Sequence, residues 1–144
     1  MAIEQLFSGT SLASLTDEER LAIAVQRKLK RIDEKTESLL SVGFPYSGKR
    51  FSISAAAKNN LDSVAIARDI LTYPIPWSAV DNSSISLNSS TEVMAFYGAM
   101  MAFGTAIKQG AVLLRAQVAA IQADTELTLS EKLAALVAIE DPRF

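Results

Sequence analysis

At 144 residues, 49% of them hydrophobic and 21% charged, the chain can bury a core without disulfides or metals and is too apolar to be disordered throughout. Its net charge of −2 gives no overall attraction to nucleic acid or an anionic membrane. It contains no cysteine and no histidine, which excludes disulfides, thiol catalysis, zinc fingers, haem–histidine ligation and any triad with histidine, and leaves open a carboxylate-held magnesium or calcium ion.

Residues 1–15 mix Ile3, Leu6, Phe7, Leu12 and Leu15 with Ser, Gly and Thr and have no clean period. They read as an N-terminal arm, either packed or frayed as a terminus or docked on a neighbouring subunit. The arm's first residues carry an acid and no base, unlike the positive start of a signal peptide. From Thr16 to the end, a single α+β domain is expected.

Thr16-Asp17-Glu18-Glu19 has the pattern of a capping box and predicts a helix to about Ser41. Ala22, Val25, Leu29, Ile32 and Leu39 fall at near-heptad spacing and form a narrow apolar seam. Its other faces carry Arg20, Arg27, Lys28, Lys30, Arg31 and Lys35, balanced by as many acids. Such a face is ordinarily solvated, but a helix lying along a partner has the same pattern.

Phe44 and Tyr46 alternate with Gly43 and Pro45, and Phe51 and Ile53 alternate with Arg50 and Ser52. A two-residue turn at Ser47-Gly48 predicts a hairpin with Phe44 opposite Phe51. Pro45 then needs an edge or a position that donates no hydrogen bond. Ser54 caps a second helix over roughly 55–72, with Ala57, Leu61, Val64 and Leu71 on its apolar stripe, widened by Ile66 and Ile70, and Pro74 and Pro76 as its stop. A second hairpin runs out through Ile75, Trp77 and Val80, turns at Asp81-Asn82-Ser83-Ser84 and returns through Ile85 and Leu87.

Ser89-Ser90-Thr91-Glu92 opens the longest predicted helix, to about Ala123. On it, Gly98, Ala102, Ala106 and Gly110 make a smooth stripe, opposite a surface rich in Met and aromatic residues. Thr128-Leu129-Ser130-Glu131 opens a last short helix through about Ile139, and the chain ends Glu140-Asp141-Pro142-Arg143-Phe144, frayed or docked on a partner. The longest uncharged stretch that fits one helix, Val93 to Ile107, is shorter than the ~20 residues that span a bilayer, so no membrane insertion is expected. With no strand–helix–strand crossover, the expected fold is α+β and mainly helical, with two β-hairpins forming a small antiparallel sheet beside long helices.

Gly43, Gly48 and Lys49 fit a phosphate-loop pattern, but the context opposes it. A phosphate loop follows a strand and opens a helix, whereas here a helix precedes and a strand follows. Arg50 stands where Ser or Thr would hold magnesium, and Pro45 removes a cradling amide. Gly48 is therefore read as a turn glycine and Lys49 as a solvent-facing base. The carboxylate pairs Asp17/Glu18, Asp33/Glu34 and Asp124/Glu126 lie at helix starts or on polar faces, without the cleft that acid–base work needs. Arg27, Lys28, Lys30 and Arg31 form a basic patch diluted by acids and lack aromatic residues to stack bases, so no nucleic-acid binding is expected. No catalytic, cofactor or metal residue is assigned. Trp77 suits a core anchor for the second hairpin and, as a second reading, a partner contact.

The pattern Gly43-Phe44-x-Tyr46-x-Gly48-x-x-Phe51-x-x-Ser54, followed by Trp77, an acid–Asn turn and a hydrophobic return strand before a helix, resembles an uncharacterised domain family of tailed bacteriophages, encoded among tail and tail-fibre genes. The resemblance covers roughly Glu34 to Ala120; the N-terminal arm and the C-terminal helix are additions to it. It implies a virion protein of the tail, made in the host cytoplasm, without enzymatic activity. Its implied partners are other tail proteins and further copies of itself; the alternative is a tail-fibre assembly chaperone absent from the particle. The candidate contact residues are Ile3, Leu6, Phe7, Val25, Leu29, Ile32, Trp77 and Phe144, with Phe44, Tyr46, Gly48 and Phe51 as the structural hairpin.

Overall fold

Capping and turn residues place most element boundaries in residues 14–143, the part that the structure, a computed structural model, describes. Helix α1 spans Asp17–Val42. Its capping box is closed: the Thr16 amide donates to Glu19 Oε1 and the Glu19 amide to Thr16 Oγ1, both at 3.1 Å. Asp17, Glu18 and Glu19 add negative charge to the positive end of the helix dipole. Gly43, at φ +87°, ends the helix in the left-handed conformation.

Strands β1 (Phe44–Tyr46) and β2 (Lys49–Phe51) pair antiparallel with Phe44 opposite Phe51, as the alternation predicts. Ser47 and Gly48 turn the chain with φ of 50° and 76°, the positive pair that a two-residue hairpin turn requires. Pro45 is exposed and faces Arg50.

Helix α2 is Ala55–Ile66, with the Ala57 amide donating to Ser54 Oγ at 3.2 Å. It ends six residues before the expected Thr72. Side chains cap it early: Arg68 Nη1 donates to the Ala65 carbonyl at 2.7 Å and the Tyr73 hydroxyl to the Arg68 carbonyl. Pro74, whose peptide bond with Tyr73 is cis, lies beyond this exit. Ile66 and Ile70, expected to widen the buried stripe, instead stand in solvent, while Leu61 is fully buried.

Strands β3 (Ile75–Ser78) and β4 (Ser84–Leu87) pair with Ile75 opposite Leu87 and Trp77 opposite Ile85. Val80 lies in the connecting loop rather than the strand. The hairpins form two separate two-stranded sheets, not one. A single backbone bond joins them, from the Val80 amide to the Arg50 carbonyl at 2.9 Å. Helix α3 is Ser90–Ala123 and helix α4 is Leu129–Ala138. At the start of α3 the Glu92 amide donates to Ser89 Oγ, but the Glu92 carboxylate accepts from the Asn88 amide, so the expected box is offset by one residue. The box of Thr128 and Glu131 is complete.

The chain divides into two compact units, and α1 and α3 each contribute to both. The hairpin unit, Thr36–Gln109, buries Phe44, Phe51, Leu61, Leu87, Val93 and Phe96. Phe96 is its hub, with ring centroids 5.2 Å from Phe44, 5.0 Å from Tyr46, 5.0 Å from Phe51 and 5.9 Å from Trp77. The terminal unit runs to Lys35 and resumes at Gly110. It buries Val25, Ile32, Ala111, Leu114, Val118 and Leu136. Its C-terminal tail is fastened to α1: Lys28 Nζ donates to the Ile139 carbonyl at 2.8 Å, Lys35 Nζ to the Asp141 carbonyl at 3.4 Å, and Arg143 Nη2 to the Ile32 carbonyl at 3.1 Å. Two bases expected on a solvated face thus hold the tail through residue 143, where fraying or a partner was expected.

Candidate functional site

Among the expected contact residues, Val25 and Ile32 are buried in the terminal unit and Leu29 packs against the same core. The seam of α1 is therefore taken up within the chain. Trp77 is half-buried against Phe96, as the core reading requires. Ile3, Leu6, Phe7 and Phe144 lie outside the described residues. Phe44 and Phe51 are buried, Tyr46 packs on them and Gly48 occupies the turn. Lys49 differs from its expected solvent-facing role. It is half-buried, and its Nζ donates to Ser83 Oγ at 2.7 Å, so a base of the first hairpin holds the turn of the second. The Ser83 hydroxyl in turn donates to Asp81, and this bond is the main reason the Asp81 carboxyl lies below its ordinary value.

Among the described residues, two grooves, one in each unit, set charged side chains beside apolar ones. In the hairpin unit, α2 presents Lys58, Asp62, Ala65 and Ile66 on one face, because these positions recur at helical spacing. From α3 come Met94, Tyr97 and Met101, and Arg68 closes one end. The cleft they bound has a volume of about 460 Å³. Hydrogen bonding to Asp62 pushes the Tyr97 phenol above its ordinary value. Asp62 Oδ1 is itself buried with no hydrogen-bond partner.

In the terminal unit, Arg27, Lys28 and Arg31 of α1 line a groove of about 210 Å³ whose apolar lining includes Leu133 and Val137 of α4. No carboxylate lines it. The groove combines a basic rim with an aliphatic wall, and Val137 is 82% exposed. The sequence reading identified the bases but not the wall, since only the folded chain brings α4 beside α1.

No group of three or more acidic residues that could hold a metal ion occurs among the described residues. No helix among them is long and apolar enough to cross a membrane. The cleft was not foreseen: Asp62 sits one residue off the buried stripe of α2, and nothing in its local pattern pairs it with Tyr97.

Comparison with known proteins adds one match. The model of a family described as a domain of unknown function (DUF4376) matches residues 23–137. No curated protein and no solved structure matches.

Proposed function

The chain belongs to the family described as a domain of unknown function (DUF4376); we propose that it is a non-enzymatic structural or adaptor component of a bacteriophage tail or tail fibre, acting through protein–protein contacts. The observation that carries the contact role is the placement of its exposed aliphatic side chains. Ile66 and Met94, at 83% and 39% exposure, border the cleft of the hairpin unit together, and Val137 borders the groove of the terminal unit beside Leu133. Single exposed aliphatics are ordinary on a protein surface; aliphatics gathered at a groove with a polar rim are the pattern of an interaction site. The tail setting is supported by the Gly43–Ser54 pattern and its resemblance to tail-associated phage domains. Tail parts are built from symmetric repeats, which favours several copies acting together.

The test is mass-spectrometric analysis of purified particles of the encoding phage. Copies retained in the tail are expected. If the protein is absent from virions but co-purifies with unassembled fibre, it is an assembly chaperone, and the structural role is lost.

A further inference from the structure

We infer that the groove between α1 and α4 in the terminal unit is a docking site for a partner-protein segment that sets a carboxylate beside an aliphatic side chain. This deepens the protein-contact role proposed above and rests on it.

The inference starts from the sign of the groove. Ala24, Arg27, Lys28 and Arg31 recur at helical spacing, which puts three bases on one face of α1. No carboxylate is among the lining residues, in a chain whose net charge is −2. The acids that follow Arg31 on α1 are committed elsewhere: Asp33 pairs with Arg115 and Glu34 with Lys30. Beyond α4, Glu140 does not line the groove, and Asp141 pairs with Lys35 and Arg143.

The bases differ in what they offer. Lys28 Nζ donates to the Ile139 carbonyl at 2.8 Å, which fixes that ammonium against the end of α4. Among the described residues Arg31 has no ion-pair partner, and it is exposed. A planar guanidinium in that state can hold a carboxylate through two parallel hydrogen bonds. Arg27 and Arg31 lie four residues apart on the helix and repel each other, and a bound anion relieves that repulsion.

The wall and the size select what accompanies the carboxylate. Leu133 and Val137, one turn apart on α4, line the same groove, and Val137 is 82% exposed. An aliphatic side chain laid on Val137 removes both from water, which a bare phosphate cannot do. The groove's volume of about 210 Å³ is below the roughly 300 Å³ at which small-molecule pockets begin, so it suits one or two side chains of a larger partner. No aromatic side chain lines it, so nucleic-acid bases would find nothing to stack on.

The test titrates ¹⁵N-labelled full-length protein with the peptide acetyl-Glu-Leu-Asp-Glu-Leu-Glu-amide and follows amide shifts by NMR. The comparators are the same peptide with every acid replaced by its amide, the same peptide with both leucines replaced by serine, and an oligothymidylate of matched charge. Saturable shifts confined to residues 24–31 and 133–139 are expected, with the acidic leucine peptide binding at least about ten-fold more tightly than the amide version and about five-fold more tightly than the serine version. Arg31→Glu, which reverses an exposed charge, should weaken that binding by at least about ten-fold. If that variant fails to fold, Val137→Ser should weaken it by about five-fold in a folded protein. The inference is overturned by the absence of saturable shifts, which would leave the groove a solvated face, or by equal binding of the amide or serine version. It is also overturned by tighter binding of oligothymidylate, which would make the groove a nucleic-acid site, or by undiminished binding in either folded variant. These results are independent of the virion measurement: a silent groove in a protein retained in tails removes this inference alone, and binding by a protein absent from virions removes the structural tail role alone.

Discussion

Gly43 and Gly110 both leave room that a side chain would fill, but the neighbours differ in what they can yield. A Cβ on Gly43 would lie 2.5 Å from the Phe51 carbonyl oxygen, which the hairpin ladder holds in place, and the residue has φ +87°. A Cβ on Gly110 would lie 2.7 Å from Cδ of Arg143, a buried side chain tied at its guanidinium to Ile32 and Asp141, but it meets no backbone atom and stands on a helical residue that alanine fits without strain. Backbone strain at a non-glycine residue with positive φ alone costs ~1–3 kcal/mol, and the fixed carbonyl adds to it. Thermal or urea unfolding should therefore show Gly43→Ala losing at least about 3 kcal/mol and Gly110→Ala losing clearly less. Equal losses would mean that the Arg143 stem is as rigid as a strand. Asp141 supplies the pH dependence at the same scale. Hydrogen bonds from Arg143 hold its carboxyl at about 2, against an ordinary 3.8. A depressed carboxylate stabilises the fold fully above its unfolded value and loses that contribution as pH falls through its folded value. With its side chain 21% exposed, the shift corresponds to about 2 kcal/mol. Asp141→Asn should be less stable by that order at pH 7 and converge with the parent near pH 2. Denaturation curves that stay parallel from pH 7 to pH 2 would remove the assignment.

The first hairpin depends on its elements fitting together more than on local propensity, since two strands of three residues cannot stand alone. They persist because Phe44 and Phe51 reach Phe96 of α3, which Trp77 of the other hairpin also meets. Phe51→Ala should then cost about 3–5 kcal/mol, as a buried aromatic truncation does, and should perturb the environment of Trp77 through Phe96. Near-ultraviolet circular dichroism at the lone tryptophan checks the second part; an unchanged spectrum would uncouple the hairpins. The hairpin register could be read in the sequence because a two-residue turn and a period of two leave one pairing that puts both phenylalanines on one face. The end of α2 could not, because its stop is a side-chain cap by Arg68 that no spacing announces. The prolines that suggested a later stop lie downstream of it. The same distinction separates the core from the candidate site. Helical periodicity marks Leu61 and Val25 for burial, whereas the meeting of Asp62 with Tyr97, or of Arg143 with Ile32, needs segments distant in sequence to be placed first.

For the whole molecule, the question is whether copies associate, and the terminal unit's part of α3 gives the most direct probe. Val112 and Leu113 are 64% and 65% exposed, and Ala116 and Ala120 continue the same exposed surface along the helix. Their neighbours Leu114 and Val118 are buried, so the helix spends one apolar face on its own core and leaves a second one uncovered. Because Leu113 packs little within the chain, Leu113→Asp should change the stability of the isolated chain by no more than about 0.5 kcal/mol. If self-association uses this face, the substitution buries a charge in each interface and should abolish the oligomer. Light scattering across a range of concentrations is expected to show a multimer for the parent and a monomer for the variant, at matched melting temperature under dilute conditions. A monomeric parent would end the self-association claim and leave any assembly to contacts with a different protein. A multimer that survives Leu113→Asp would move the interface away from this face, with the basic groove of Arg27 and Arg31 as the next surface to probe.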